Sequence, residues 1–331
     1  MSFSVETRSE WTEWSAYNLA LGIPEQKVTA QLSANGFAAN DAARLLRRIK
    51  RNPVFSATLK AANNLKKWIA LNEALLELEK QRFNFSEIPC VSGLSSTAFH
   101  RDYYCANRPV VLNDVADKWP AMKKWNLDFF RKKLGDELVK YQSGRSHKDH
   151  RDSFTDHTVE TKFSNYLNIL GRKDCPSNCY LIAHDHLLER EPFKILLRDI
   201  VFDKRYLDGA DIDGRVFFWL GPKGSMTPMH RDLGNVYLAQ IRGRKSIKLI
   251  PSKQLHLVYN ESGYYSDVDF ERFSYDDFPL LRRAHISEVI LNPGQMLFIP
   301  IGWWHHVKSL DRTISITGNN FRFNNRMKAI F

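Results

Sequence analysis

The chain has 331 residues, 43% hydrophobic and 26% charged, the balance of an ordinary globular protein, and no apolar run reaches the roughly 20 residues that cross a bilayer, so no membrane span is expected. Four cysteines, Cys90, Cys105, Cys175 and Cys179, are too few for a disulfide framework, and the opening "MSFSVETRSEWTEW" carries acidic residues where a secretory signal has an apolar core; a cytoplasmic chain with reduced thiols is expected. The net charge of +11, with basic clusters at 44–51, 129–135 and 144–151, favours anionic partners: nucleic acid, acidic protein or a carboxylate-bearing small molecule. No nucleic-acid motif accompanies these clusters, so a solvated surface accounts for most of them.

In chain order, residues 10 to about 82 read as helices. "SEWTEWSAYNLALG" opens at a Ser9 cap and stops at Gly22, "PEQKVTAQLSANG" starts at Pro24 and stops at Gly36, and "AANDAARLLRRIKRNP" stops before Pro53. The longer run that follows repeats Leu65, Trp68, Ile69, Leu71, Leu75, Leu76 and Leu78 at helical spacing and predicts one apolar stripe. A boundary near residue 85 separates this N-terminal helical domain, 1–85, from a second domain, 86–331. There "PVVLND" reads as a strand, and from residue 216 short segments rich in Val, Ile and Phe alternate with Gly, Pro and Asn turns, predicting a barrel or sandwich. Cys175 and Cys179 followed by His184 and His186 lack the ligand spacing of structural zinc sites and read as structural thiols.

The chemistry gathers in two places. In "TPMHRDLGN" His230 and Asp232 are two apart, so on an extended segment both point to one side. In "IGWWHHVKSL", 75 residues on from His230, His305 follows two tryptophans. Alone, a histidine after bulky aromatics reads as core. With a His-x-Asp on another strand it completes two imidazoles and one carboxylate, the ligand set of non-haem iron(II) oxygenases. Lys245, Ile247 and Leu249 share one face of a further strand, and a lysine at the head of an apolar face needs an anion.

The segments "TPMHRDLGNVYLAQIRGRKSIKLIP", "LNPGQMLFIPIGWWHHVKSL" and "NRPVVLNDVADKWPAMKKW" resemble the JmjC branch of the cupin-fold oxygenases, in particular the protein-hydroxylase subgroup that includes the asparaginyl hydroxylase of hypoxia-inducible factor. The resemblance runs over residues 87 to 322. It implies a mainly β fold, a double-stranded β-helix (jelly-roll, cupin) barrel with flanking helices. It makes His230, Asp232 and His305 the ligands of iron(II), with His306 outside the set. Lys245 then pairs with the distal carboxylate of 2-oxoglutarate, assisted by Thr227 and Tyr180, and Asn319 lies near the metal-binding end of that cosubstrate. In relatives an asparagine stands four residues after the aspartate. Here that position is Val236 and Asn235 precedes it, so either the strand bulges and Asn235 serves, or the contact is missing.

The implied activity is that of an iron(II)- and 2-oxoglutarate-dependent dioxygenase that uses O2, releases succinate and carbon dioxide, and hydroxylates a side chain in a protein or peptide. Oxidation of a free amino acid or other small metabolite is the alternative, and a catalytically silent cupin that binds protein or nucleic acid is the third reading. Residues 253–285, rich in tyrosine and acid, form a candidate lid with Tyr264, Tyr265, Asp267 and Asp269, either selecting a cationic substrate or standing as a solvated loop. Trp303 and Trp304, with Phe217, Phe218 and Trp219, offer a dry wall for the site or simply core. The N-terminal helices serve a homodimer or substrate recognition; the sequence does not choose.

Overall fold

The computed structural model describes residues 5–82, 85–144, 157–260 and 263–325; apart from Gly144, the third basic cluster lies outside the described residues. The chain divides into two compact units, Met1–Glu79 and Lys80–Phe331.

The first unit is helical: α1 (Val5–Leu21), α2 (Glu25–Ala34), α3 (Ala39–Arg51) and α4 (Pro53–Lys80). Gly22 and Gly36, both at positive φ, end α1 and α2, a backbone state that costs glycine little. Asn52 caps α4, its Oδ1 accepting from the Val54 N–H, and Pro53 takes the first helical position, where a missing N–H costs nothing. Ala20, Val28, Leu32, Ala42, Leu46, Ile49 and Phe55 form the core. Two expectations fail here. Helix α1 begins before Ser9, so Ser9 is not its cap. Of the α4 stripe only Leu76 is fully buried, while Leu65, Trp68 and Leu78 remain 61%, 65% and 61% exposed. Helical spacing tells which residues share a face, not whether anything covers it.

In the second unit twelve strands are described: β1 (Cys90–Val91), β2 (Val110–Leu112), β3 (Leu138–Gln142), β4 (Thr158–Lys162), β5 (Val216–Gly221), β6 (Met226–Arg231), β7 (Val236–Arg242), β8 (Lys245–Ile250), β9 (Ser287–Leu291), β10 (Met296–Ile299), β11 (Trp304–Ser309) and β12 (Thr313–Gly318). A six-stranded sheet runs β1-β2-β10-β7-β12-β5, a four-stranded sheet runs β6-β11-β8-β9, and β3 pairs with β4. From β5 onward the chain keeps crossing between the two larger sheets, which is the double-stranded β-helix expected.

Three hydrophobic clusters give this unit its layers. Val111, Leu238 and Leu297 of the larger sheet meet Ile247, Leu249, Leu291 and Val307 of the smaller one. The other face of the larger sheet, through Phe218, Tyr237, Phe298 and Ile316, packs on residues of the flanking helices such as Phe99, Phe130, Phe163 and Phe193. The outer face of the smaller sheet, through Met229, Ile250 and Trp304, is covered by Val258, Val268, Phe270 and Leu281 of the long β8–β9 connection. Because side chains alternate along a strand, neighbouring residues of β8 and β11 turn in alternation toward the space between the sheets and toward its outer side, and the pairing of β11 with β6 shifts register between His305 and Val307.

Candidate metal centre

Strands β6 and β11 run antiparallel with His230 directly opposite His305, so the two imidazoles project on the same side of the sheet. Asp232 follows two residues after His230, and its carbonyl accepts from the N–H of Gly302 in the turn before β11. Gly302 is at φ +76°, a conformation that suits this turn to glycine. The ring centroids of His230 and His305 are 4.0 Å apart, and His305 Nε2 lies 3.6 Å from Asp232 Oδ2. The ligand atoms of His230, Asp232 and His305 all fall within 4.8 Å of one another, and no other such cluster occurs among the described residues.

Each imidazole is oriented by its own backbone. His230 Nδ1–H donates to the Pro228 carbonyl at 2.8 Å, and His305 Nδ1–H to the Trp303 carbonyl at 3.1 Å. A carbonyl can only accept, so both Nδ1 atoms carry the proton and the Nε2 lone pairs are left for a cation, the tautomer that metal-bound histidines adopt through such contacts. Burial, with the neighbouring His230 adding to it and the Asp232 charge opposing, pushes His305 down to about 4, so it is neutral at ordinary pH. Two imidazoles and one carboxylate converging without hydrogen bonds to each other fit a divalent metal bound on one side.

The neighbouring end of the cavity suits an anion. Lys245 is 2% exposed; its Nζ donates to the Tyr180 hydroxyl at 3.1 Å and lies 5.7 Å and 5.9 Å from the ring centroids of Tyr180 and Trp219. No described carboxylate pairs with it. Burial alone pushes it down to about 7, and burial also raises the Tyr180 phenol, which stays protonated. A buried lysine without a counter-charge is costly, and a bound carboxylate removes that cost. Thr227 and Asn319 line the same cavity of about 1390 Å³. Asn319 Oδ1 is buried without a hydrogen-bond partner, a second unmatched group on the wall.

Asn235 is a correction. It is buried, its Oδ1 accepts from the Ile301 N–H at 2.8 Å, and it does not line the cavity, whereas Val236 does. Strand β7 pairs with β10 in unbroken register from Val236, so there is no bulge to turn Asn235 inward. The asparagine instead fastens the turn before β11, and an apolar side chain takes the position on the wall. Asn325 was not anticipated: it lines the cavity and its Nδ2 donates to the Asn235 and Asn319 carbonyls at 2.8 Å and 3.1 Å. It lies beyond the last strand in a segment without periodicity, and nothing in the sequence signals it.

The tyrosine-rich connection does reach the site. Tyr265 bridges to His230 and stacks on its ring, centroids 5.5 Å apart; Tyr264, Asp269, Glu271 and Arg272 also line the cavity, and Asp267 does not. The wall is of mixed charge rather than acidic, since Arg215, Arg231 and Lys308 line it as well. Among the aromatic residues Phe217 and Trp219 face the cavity. Phe218 and Trp304 are core, and Trp303 donates its indole N–H to Asn107. Cys179 is buried and His186 contacts Glu189.

Comparison with known proteins places residues 96–326 in the pattern of the family described as "Cupin-like domain". The chain is similar to "Lysine-specific demethylase 8" of Xenopus tropicalis, 30% identical over 236 residues, covering 70% of this chain and 52% of the relative. It is similar to "Lysine-specific demethylase JMJ30" of Arabidopsis thaliana, 32% identical over 235 residues, 68% of this chain and 53% of the relative. "JmjC domain-containing protein D" of Dictyostelium discoideum is 29% identical over 266 residues, 74% and 57% of the two chains. The chain thus spans about half the length of the relatives it matches.

Proposed function

We propose that this chain, which belongs to the cupin-like family of JmjC oxygenases, is an iron(II)- and 2-oxoglutarate-dependent dioxygenase that hydroxylates an amino-acid side chain in a protein or peptide. JmjC oxygenases use iron(II), 2-oxoglutarate and O2. Together these supply an oxidation in which 2-oxoglutarate leaves as succinate and carbon dioxide and one oxygen atom enters a substrate C–H bond. The observation that carries the reading is one cavity holding both unmatched features, three converging metal donors and a buried lysine with no counter-anion.

In this reading His230, Asp232 and His305 hold the metal. Lys245, helped by Tyr180 and Thr227, binds the distal carboxylate, and Asn319 offers its free carbonyl oxygen on the same wall. Trp219, Phe217 and Val236 keep water from that end. Tyr265 covers the outer edge of His230, leaving the remaining volume to the substrate. The cavity of about 1390 Å³ has room for the cosubstrate and for a substrate side chain beside it. Asp269 on the lid wall offers a carboxylate to a cationic side chain, Glu271 being held by Lys308. The relatives named as lysine demethylases favour a second reading on the same chemistry: a hydroxylated N-methyl group breaks down to the amine and formaldehyde. Residues 1–85 are read as a helical domain and residues 86–331 as the catalytic domain.

The test is succinate release from 2-oxoglutarate with iron(II), run with a proteome-derived peptide pool, with methyl-lysine peptides and with free amino acids. A gain of 16 mass units on peptides supports hydroxylation, and formaldehyde release supports demethylation. Turnover confined to free amino acids overturns the protein-substrate reading, and an Asp232→Ala variant with full activity overturns the metal site.

A further inference from the structure

Outside the cavity, among the described residues, helix α3 concentrates one charge on a regular element. Ala42, Leu46 and Ile49 are buried in the helical core, with Leu45 packed against it. Arg44, Arg47, Arg48 and Arg51 are all exposed. Both sets have the spacing i, i+3, i+4, i+7, so one side of the helix is wholly apolar and the opposite side carries four arginines. Lys50 adds a fifth cation, and Asp41 is the single acid of the helix. Only part of this charge is occupied: Arg44 pairs with Asp41, Lys50 with Glu25, and Arg48 reaches Thr12 Oγ1 at 3.4 Å. These are exposed contacts of small worth that yield to a stronger anion.

The backbone presents this face in a particular way. Helices α2 and α3 are joined by the four residues Asn35–Ala38. Gly36 sits at φ +90°, the Phe37 N–H donates to the Leu32 carbonyl, and the Phe37 ring packs edge-on against Trp11 at 5.9 Å. The turn is therefore fixed to the core, and α1 contacts both helices. This is the order of a helix-turn-helix whose second helix carries the cations. From Arg44 to Arg51 the face extends about 10 Å, on the scale of the roughly 12 Å width of the DNA major groove.

We propose that the arginine face of α3 binds double-stranded DNA, with α3 lying at the major groove and its guanidinium groups on flanking phosphates. Arginine rather than lysine at all four positions suits bidentate contact with phosphate oxygens. The outward side offers no large apolar residue, which a helix that settles into a lipid surface needs. The proposal does not draw on the oxidation chemistry and adds a means of bringing the enzyme to a polyanion.

The experiment is fluorescence anisotropy of the full chain with a fluorescein-labelled duplex of roughly 20 base pairs, about two helical turns, across a salt series. With up to four phosphates contacted at about −0.9 each, the log–log salt slope is expected near −3.6, a weakening of roughly a hundredfold between 50 and 200 mM salt. Replacing Arg44, Arg47, Arg48 and Arg51 together by Gln abolishes binding, while the four Arg→Lys changes retain most of the slope. Should the quadruple Gln variant fail to fold, Arg47→Gln alone is expected to lower the slope by about 0.9. Absence of duplex binding at low salt overturns the proposal, as do unchanged affinity and slope in the Gln variants. Equal or tighter binding to polyglutamate or to phosphatidylserine vesicles also overturns it, in favour of an acidic protein or a membrane surface.

Discussion

The two faces of the four-stranded sheet are built from the same strands and carry similar residue types, yet they are finished differently. On the inner face His230, Asp232, His305 and Lys245 have few protein partners: the imidazoles do not bond each other, and the lysine has no described carboxylate. On the outer face, and on the stretch of cavity wall that the β8–β9 connection closes, polar groups meet that connection. Lys308 pairs with Glu271, Lys248 Nζ donates to the Phe270 carbonyl at 3.0 Å, and Arg231 lies between the rings of Tyr264 and Trp304, 5.6 Å and 5.9 Å from their centroids. His306, adjacent to His305 and likewise pushed down to about 4 chiefly by burial, faces Glu271 at 3.7 Å. Arg231 Nε, Trp304 Nε1 and His306 Nε2 are also buried without a described hydrogen-bond partner, so what marks the ligand site is the kind of group left open: three metal donors and a cation without a described counter-charge converging on one cavity.

Changes on the inner face break this contrast most sharply. Asp232→Ala is expected to lower iron-dependent succinate release by at least about a hundredfold, with loss of bound iron measured by metal analysis; His306→Asn keeps the iron. Lys245→Met is expected to raise the 2-oxoglutarate requirement by about a hundredfold, since one charge-assisted contact to a buried carboxylate is worth roughly 2–3 kcal/mol. The same change stabilises the ligand-free protein by about 1–3 kcal/mol in denaturant titration, because an uncompensated buried cation disappears.

The lysine also sets a pH trend. Its folded value of about 7 lies below the ordinary 10.5, so between these limits the unfolded chain binds the extra proton and stability of the ligand-free protein rises with pH. The penalty is complete below pH 7 and gone above about pH 10.5. Thermal melts without cosubstrate are expected to show this rise, and saturating 2-oxoglutarate flattens it by restoring the charged amine.

Smaller effects belong to the groups that seat the walls. Glu271→Gln removes the partner of Lys308 and is expected to raise the substrate KM several-fold while leaving iron content unchanged, at a stability cost of about 1–2 kcal/mol. Asn235→Ala is expected to cost a similar 1–2 kcal/mol through the lost bond to Ile301. The 2-oxoglutarate KM stays at the wild-type value, which separates a fastening role from a cosubstrate contact.

Much of this arrangement was legible in the chain. The two-residue spacing of His230 and Asp232 on a strand forces both side chains to one side. The alternation of Lys245 with Ile247 and Leu249 forces the lysine inward, and glycines and prolines mark the helix ends. These inferences rest on periodicity, a property of the backbone that needs no knowledge of neighbours. The family resemblance selects His305 over His306, and cross-strand register supplies the physical reason by setting His305 against His230. Tertiary structure alone decided the rest. The pairing of β7 with β10 leaves Asn235 on a turn, and the fold brings Asn325 to the cavity from beyond the last strand. The α4 stripe shows the same limit from the other side: spacing fixed its face, but burial depends on what another part of the chain brings to it.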